Sequence, residues 1–231
     1  MDIGRVSLSI QEKEGGYTTA PDKQHGAPDP DAVTNIQLAS AIGLRTEVYM
    51  VPQIGTSGQT GAQQLEEMYS HLLDANIIVK SVWIEVTHRS GWSLPFAASR
   101  NVDFLNSFLQ RANIYGLSVG ILTNLDEWNE ITGSATINNV MLWYFKTNGT
   151  RTFADSPANF DDFVPFAGWT SPTAKRIALS EKVCGQYSNR DIYSTSSASV
   201  ADMARREESD RYVVGGLGLG STALPGRAEI R

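Results

Sequence analysis

The sequence predicts an α/β fold, an irregular (β/α) TIM-like barrel of parallel strands spanning residues 29–193. Three observations carry this. Strand-like and helix-like segments alternate along that stretch. The strand-like segments, such as KSVWIEV and LSVGILT, are near-continuous apolar runs, as strands buried on both faces must be. No glycine-rich phosphate loop of dinucleotide type follows any of them. A barrel is therefore favoured over an open doubly wound sheet, and its catalytic face would be the C-terminal ends of the strands.

The elements follow in order. Residues 1–28 are rich in Gly, Pro, Asp and Lys and read as an irregular N-terminal segment, with one short strand at 6–10. A barrel starting this way is expected to be incomplete at its N-terminus. Residues 29–43 form a helix that opens on Asp29 and stops at Gly43, with Ile36, Ala39 and Ile42 at helical spacing. TEVYMV at 46–51 is a strand that ends at Pro52. Residues 59–76 carry Leu65, Met68, Tyr69, Leu72 and Leu73 on one helical face. VKSVWIEVT is the next strand. Residues 99–115 form a helix with Val102, Leu105, Leu109 and Ala112 on one side and Gly116 at its end. Strand 117–123, a short helix at 125–131, and strands at 140–146 and 175–179 complete the pattern. Residues 194–231 lose apolar periodicity and read as a flexible tail. Its GGLGLGS run is followed by no helix pattern, so it reads as tail and not as a nucleotide site.

Composition excludes several classes. A formal net charge of -6 with no Lys/Arg cluster argues against a nucleic-acid partner. No apolar run approaches the roughly 20 residues of a membrane span. The N-terminal MDIGRVSLSIQEKEGG lacks the apolar core of a signal peptide. A single cysteine, Cys184, excludes an internal disulfide and a cysteine-based zinc cage. His25, His71 and His88 show no metal-ligand spacing, so neither a metal nor any other cofactor is expected. The chain is expected to be a monomer.

The segment SVWIEVTHRSGW holds the main site candidates. Glu85 and Thr87 are two apart on a strand and so share one face. From the residues alone, Glu85 is either an active-site acid or a strand-end carboxylate held by a neighbour. Trp143 and Tyr144 alternate on their strand, one inward and one outward. Each is either core or a platform for a sugar ring, and Tyr49 and Trp83 carry the same alternatives. His88 stands either at a cleft mouth or in an exposed turn. Asp155, Asp161 and Asp162 read as a solvated loop. Asn148 opens an Asn-Gly-Thr glycosylation sequon that matters only in a secreted chain.

Several segments, in order, resemble glycoside hydrolase family 25, the lysozymes with an irregular β/α barrel, and in particular its short eukaryotic branch. They are DPDAVTNIQLASAIGL, EVYMVPQ, VWIEV with a nearby GW, GLSVGILTNLDEWNEITGSA, LWY, FVPFAGWTSPTAKR and CGQYSNRDIY. The resemblance implies cleavage of the β-1,4 bond between N-acetylmuramic acid and N-acetylglucosamine, a bacterial cell-wall glycan as partner, and a secreted or lysosomal location. It implies Tyr49, Trp143 and Tyr144 as substrate-binding residues.

The family places an Asp-x-Glu motif at the end of its fourth strand, with the Glu as proton donor. The aligned tripeptide here is Glu85-Val86-Thr87. Glu85 takes the position of the Asp and is the catalytic candidate, while Thr87 replaces the donor. A threonine hydroxyl cannot serve as general acid to a leaving sugar at neutral pH. The family's first-strand aspartate has no counterpart in SLSIQ at 7–11. Its last-strand aspartate position is taken by Asn189, with Asp191 two residues on. Gln53 replaces a cysteine common in the short branch, which implies that Cys184 has lost its partner. Three readings follow: an active muramidase using Glu85 with an unusual partner, a lysozyme-like protein that binds glycan without cutting it, or a degenerate barrel with an interaction role only.

Overall fold

The computed structural model describes residues 7–10, 17–18, 27–54, 58–88, 91–92, 97–146, 155–183, 185–193, 211–217 and 227–231. Cys184 and the sequon at 148–150 lie outside them.

The frame is one curled seven-stranded sheet. Its strands are β1 (Ser7–Ile10), β4 (Tyr49–Met50), β6 (Ser81–Glu85), β7 (Ser118–Thr123), β9 (Met141–Phe145), β10 (Ala174–Val183) and β11 (Gln186–Tyr193). The order across the sheet is β1-β11-β10-β9-β7-β6-β4, and β2 (Tyr17–Thr18) and β3 (Ala27–Pro28) form a separate antiparallel pair. β4, β6, β7, β9 and β10 are parallel, and β11 returns antiparallel to β10. β1 is antiparallel to β11 and so runs in the same sense as the parallel set. Among the described residues no ladder joins β1 to β4. Among these residues the sheet is a curled, barrel-like wall, the mostly parallel α/β barrel frame that the sequence predicts.

The helices α1 (Ala32–Ala41), α2 (Gly61–Asp74), α3 (Ala98–Tyr115) and α4 (Leu125–Thr132) start and stop where local chemistry dictates. Thr60 caps α2 in a reciprocal capping box with Gln63. Asn124 accepts a hydrogen bond from the Glu127 amide at the start of α4, and Gly116 ends α3 in the left-handed conformation. α1 departs from expectation. Asp31 makes no side-chain cap, Ile36 is its one buried residue, and Ile42 is 76% exposed.

Strand alternation divides the apolar residues into two layers. Val82, Ile84, Val86, Ile121, Leu142 and Tyr144 join the main core with α2, α3 and α4. Trp83, Leu122, Met141, Trp143 and Ala174 form a second cluster on the inner, concave face, with Tyr49, Phe145, Tyr193 and Leu217 against it. Gly120 faces Trp83 in register, and the indole lies where a Cβ at Gly120 would stand.

Three expectations need correction. The strand read through VKSVWIEVT is broken at Lys80: β5 (Ile77–Val79) belongs to a separate two-stranded sheet. The tail reading of residues 194–231 fails for two segments. β12 (Tyr212–Val214) pairs in parallel with β5, and β13 (Glu229–Ile230) pairs antiparallel with β8 (Ile137–Asn138). Val214 is fully buried, and Ala228 and Ile230 enter the main core. These strands are two or three residues long, too short to show a period in the sequence. Asp162, in the loop read as solvated, instead accepts a hydrogen bond from buried Lys175.

Candidate functional site

The inner face is lined by every second residue of the parallel strands, and the register fixes its levels. Trp83 lies beside Tyr49 and Gly120, while Glu85, Leu122, Trp143 and Ala174 follow one another across four strands. Glu85 is the last residue of β6, at its C-terminal end. The Trp92 indole donates to the Glu85 carbonyl at 3.0 Å, and the Val86 amide donates to the Leu122 carbonyl at 2.9 Å. These bonds hold the strand end against β7 and the following turn.

Thr87 Oγ1 lies 2.6 Å from Glu85 Oε1. The hydroxyl donates and the carboxylate accepts, so the two sequence candidates touch. Thr87 is buried and Glu85 is half-buried. His88, the next residue, turns away. Its ring lies 3.3 Å from Glu127 Oε1 and 3.2 Å from Glu130 Oε2, both on α4. It is neither at the cleft mouth nor in a free turn.

A second cluster stands on β9, β10 and β11. Trp143 Nε1 and Arg176 Nε both donate to Asp191 Oδ1, each at 3.0 Å, and the guanidinium lies 4.6 Å from the centre of the Trp143 ring. The ring of Trp83 meets Trp143 edge-on at 5.7 Å. Trp143 is therefore a wall of the inner face, 8% exposed, and not an open stacking platform. Tyr49 packs half-buried against the same cluster.

Tyr144 and Asn189 are placed elsewhere. Tyr144 projects to the helix-covered face, its ring 5.4 Å from Phe163 and its hydroxyl donating to the Asp162 carbonyl at 3.3 Å. The expectation that it lines the cleft is corrected by strand alternation, since only Trp143 of the pair faces inward. Asn189 is buried and accepts from the Ser180 amide at 3.2 Å, beside the irregular register of β10 against β11. That bond is a structural brace, and Asp191 is the last-strand carboxylate that reaches the cluster.

The floor of the inner face comes from the far end of the chain. Glu47 Oε2 accepts from Trp83 Nε1 at 2.8 Å and from Ser81 Oγ at 3.2 Å, while Oε1 accepts from the Leu217 amide at 2.8 Å. The Gly216 amide donates to Ser81 Oγ at 2.7 Å. Sequence reasoning missed Glu47 and Arg176. Their signal was the two-residue alternation, which puts Arg176 on the same face as Ala174. Among the described residues no group of three His, Cys, Asp or Glu side chains is arranged to hold a metal ion. No helix among them is long and apolar enough to cross a membrane.

This wall of parallel strands, with a carboxylate at the C-terminal end of a central strand, is the frame of a β/α barrel with its site at the strand ends. The muramidase from Trichobolus zukalii superposes with a TM-score of 0.53 at 13% identity, over 76% of this chain and 79% of that one. Sequence makes the assignment closer. Residues 15–177 match the family model described as Lysozyme-like protein 1, and the chain belongs to that lysozyme-like family. Lysozyme-like protein 1 of Caenorhabditis elegans is 40% identical over 83% of this chain and 67% of its own length. A protein described as probable GH family 25 lysozyme 2 of Dictyostelium discoideum is 29% identical over 75% of this chain and 78% of its own.

Proposed function

We propose that the inner face is a cleft for bacterial cell-wall glycan, and that it holds this polymer without cutting it at the rate of a two-acid muramidase. The observation behind this reading is the 2.6 Å contact between Thr87 Oγ1 and Glu85 Oε1. Glycoside hydrolysis needs one group to protonate the leaving oxygen and a second carboxylate to attack, activate water or stabilise the transition state. Among the described residues the strand end pairs one carboxylate with one hydroxyl. The hydroxyl gives Glu85 a hydrogen bond but cannot pass a proton to a sugar oxygen. Asp191 is held by Arg176 and Trp143, and Glu47 is tied into the floor. Glu85 then serves as an acceptor for sugar hydroxyl and amide donors, with Tyr49 and Trp143 as apolar walls. The protein acts as a monomer where bacterial wall is met, outside the cell or in the lysosome.

The test uses insoluble peptidoglycan and three proteins: wild type, Thr87→Glu, and Thr87→Glu combined with Glu85→Gln. Wild type should sediment with the wall and clear its turbidity little. Thr87→Glu should raise clearing by about 10²–10⁴-fold, the usual contribution of a general acid. Glu85→Gln should remove that gain. Rapid clearing by wild type that Thr87→Glu does not improve would sink the reading, and so would failure of wild type to sediment with the wall.

A further inference from the structure

Adjacent residues of β10 use their donors in opposite ways. Lys175, on the outer face, is fully buried. Its ammonium donates to the Pro157 carbonyl at 3.1 Å, the Asn159 carbonyl at 2.9 Å and Asp162 Oδ1 at 2.8 Å. All three of its N–H groups are accounted for. Arg176, on the inner face, has a side chain only 14% exposed, yet among the described residues its one hydrogen bond runs from Nε to Asp191 Oδ1. A guanidinium carries five N–H donors. The four on Nη1 and Nη2 have no partner among the described residues.

A structural Arg–Asp pair of this depth gains most from two parallel bonds to both carboxylate oxygens. Here the contact is single, and the oxygen is shared with Trp143 Nε1. The Trp143 ring, 4.6 Å from the guanidinium carbon, adds a second restraint on the group. The result is a pre-oriented cation whose Nη1–Nη2 edge no described residue claims. That edge matches a planar carboxylate, which it can bind through two parallel bonds. Arg176 lies two residues beyond Ala174 towards the C-terminal end of the parallel strands, and its register partner Phe145 also faces inward. β10 is three strands from β6, or about 14 Å along the sheet. Arg176 and Glu85 thus stand on opposite parts of one concave wall.

We propose that Arg176 reads a carboxylate on the glycan's muramyl units, so that the cleft separates anionic wall glycan from a neutral polymer of N-acetylglucosamine. This rests on the glycan-binding reading above. Two sources present that chemistry: the lactyl carboxylate of a muramyl residue stripped of its peptide, and the carboxylates of an attached stem peptide.

The experiment measures binding of the full chain to four ligands. These are peptide-free glycan strands, intact peptidoglycan, the peptide-free strands after conversion of their carboxylates to carboxamides, and N-acetylglucosamine oligomers. Wild type should prefer a carboxylated ligand over the amidated strands and the neutral oligomers by about tenfold to a hundredfold, as expected for a charge-assisted bond. Preference for peptide-free strands identifies the lactyl group, and preference for intact peptidoglycan identifies the peptide. Because Arg176→Gln alone would remove a cation from beside the buried Asp191, the main variant is Arg176→Gln with Asp191→Asn, its fold verified by near-ultraviolet circular dichroism. In it the preference should fall to about one. Arg176→Lys, which keeps the charge but loses the fork, should keep only part of it. A folded double variant that retains the full preference overturns the assignment. Equal wild-type affinity for all four ligands also overturns it while leaving glycan binding intact. Binding to none of them overturns the glycan-binding reading and this inference together.

Discussion

The Lys175 ammonium lies 2.8 Å from Asp162 Oδ1, with the lysine side chain wholly out of solvent. The pair ties the loop before β10 to the outer face of the sheet, beneath the Tyr144 ring. Removing the cation strands a carboxylate and two carbonyls together. Lys175→Met should therefore cost about 3–5 kcal/mol, the usual penalty for breaking a buried pair from one side. Lys175→Met with Asp162→Asn should recover part of it, read from urea midpoints. Burial alone would raise the Asp162 carboxyl, but the hydrogen bond and charge of Lys175, helped by Tyr144 and Lys146, outweigh it and hold it below its ordinary value. Its contribution is complete above the ordinary carboxylate range and is lost as pH falls through the depressed folded value. Lys175→Met should flatten that acid limb.

Residues 211–217 and 227–231 should be indispensable. A chain ending at residue 210 exposes the sites of Val214, Ala228 and Ile230. At about 1.5–3 kcal/mol for each large aliphatic side chain, it should lose at least about 3 kcal/mol. Gly215→Ala tests the same contact by one atom. Gly215 has φ +82°, and a Cβ there would lie 2.6 Å from the Ser81 amide nitrogen. A lowered denaturation midpoint is expected for both, and a midpoint within about 0.5 kcal/mol of wild type, the range of surface changes, would refute the packing.

Glu127 is 5% exposed, and burial raises its carboxyl above the ordinary value, with His88 and Asn124 pulling the other way. The folded state then holds this proton to a higher pH than the unfolded chain does. Its contribution is complete below the ordinary carboxylate value and declines as pH rises through the folded one. Glu127→Gln should remove that decline, seen as a smaller loss of stability than wild type between the ordinary carboxylate range and neutrality.

Gly120→Ala should break the inner face. The added Cβ would stand 2.1–2.6 Å from three ring atoms of Trp83, a rigid side chain already held by Glu47 and Trp143. A loss of about 1–3 kcal/mol, typical of overpacking, should come with a changed tryptophan signal in near-ultraviolet circular dichroism.

Local chemistry made much of the fold legible. α2, α3 and α4 carry their caps in the sequence, and apolar runs announced the parallel strands. Glu85 and Thr87 were legible as neighbours because two residues on a strand must share a face. Tyr144 was misassigned because alternation says that one of a pair faces inward without saying which. β12 and β13 were invisible, since their pairing partners lie far upstream and their apolar content is a few residues each. Arg176 went unnoticed because its character depends on which donors remain unused, a property of the assembled sheet.

The stitching of Glu47 and Ser81 to Gly216 and Leu217 spans 170 and 135 residues of chain. During synthesis, the upstream strands leave the ribosome long before the segment that closes their lower end. Contacts of such long range are formed late, after a large loop has been closed. Until then Trp83 and its neighbours lack their floor, and a nascent chain halted before residue 211 presents an unsealed apolar surface. Yield from the cell should therefore depend on the integrity of residues 211–217 and 227–231 and on chaperone supply more than on the equilibrium stability of the finished molecule.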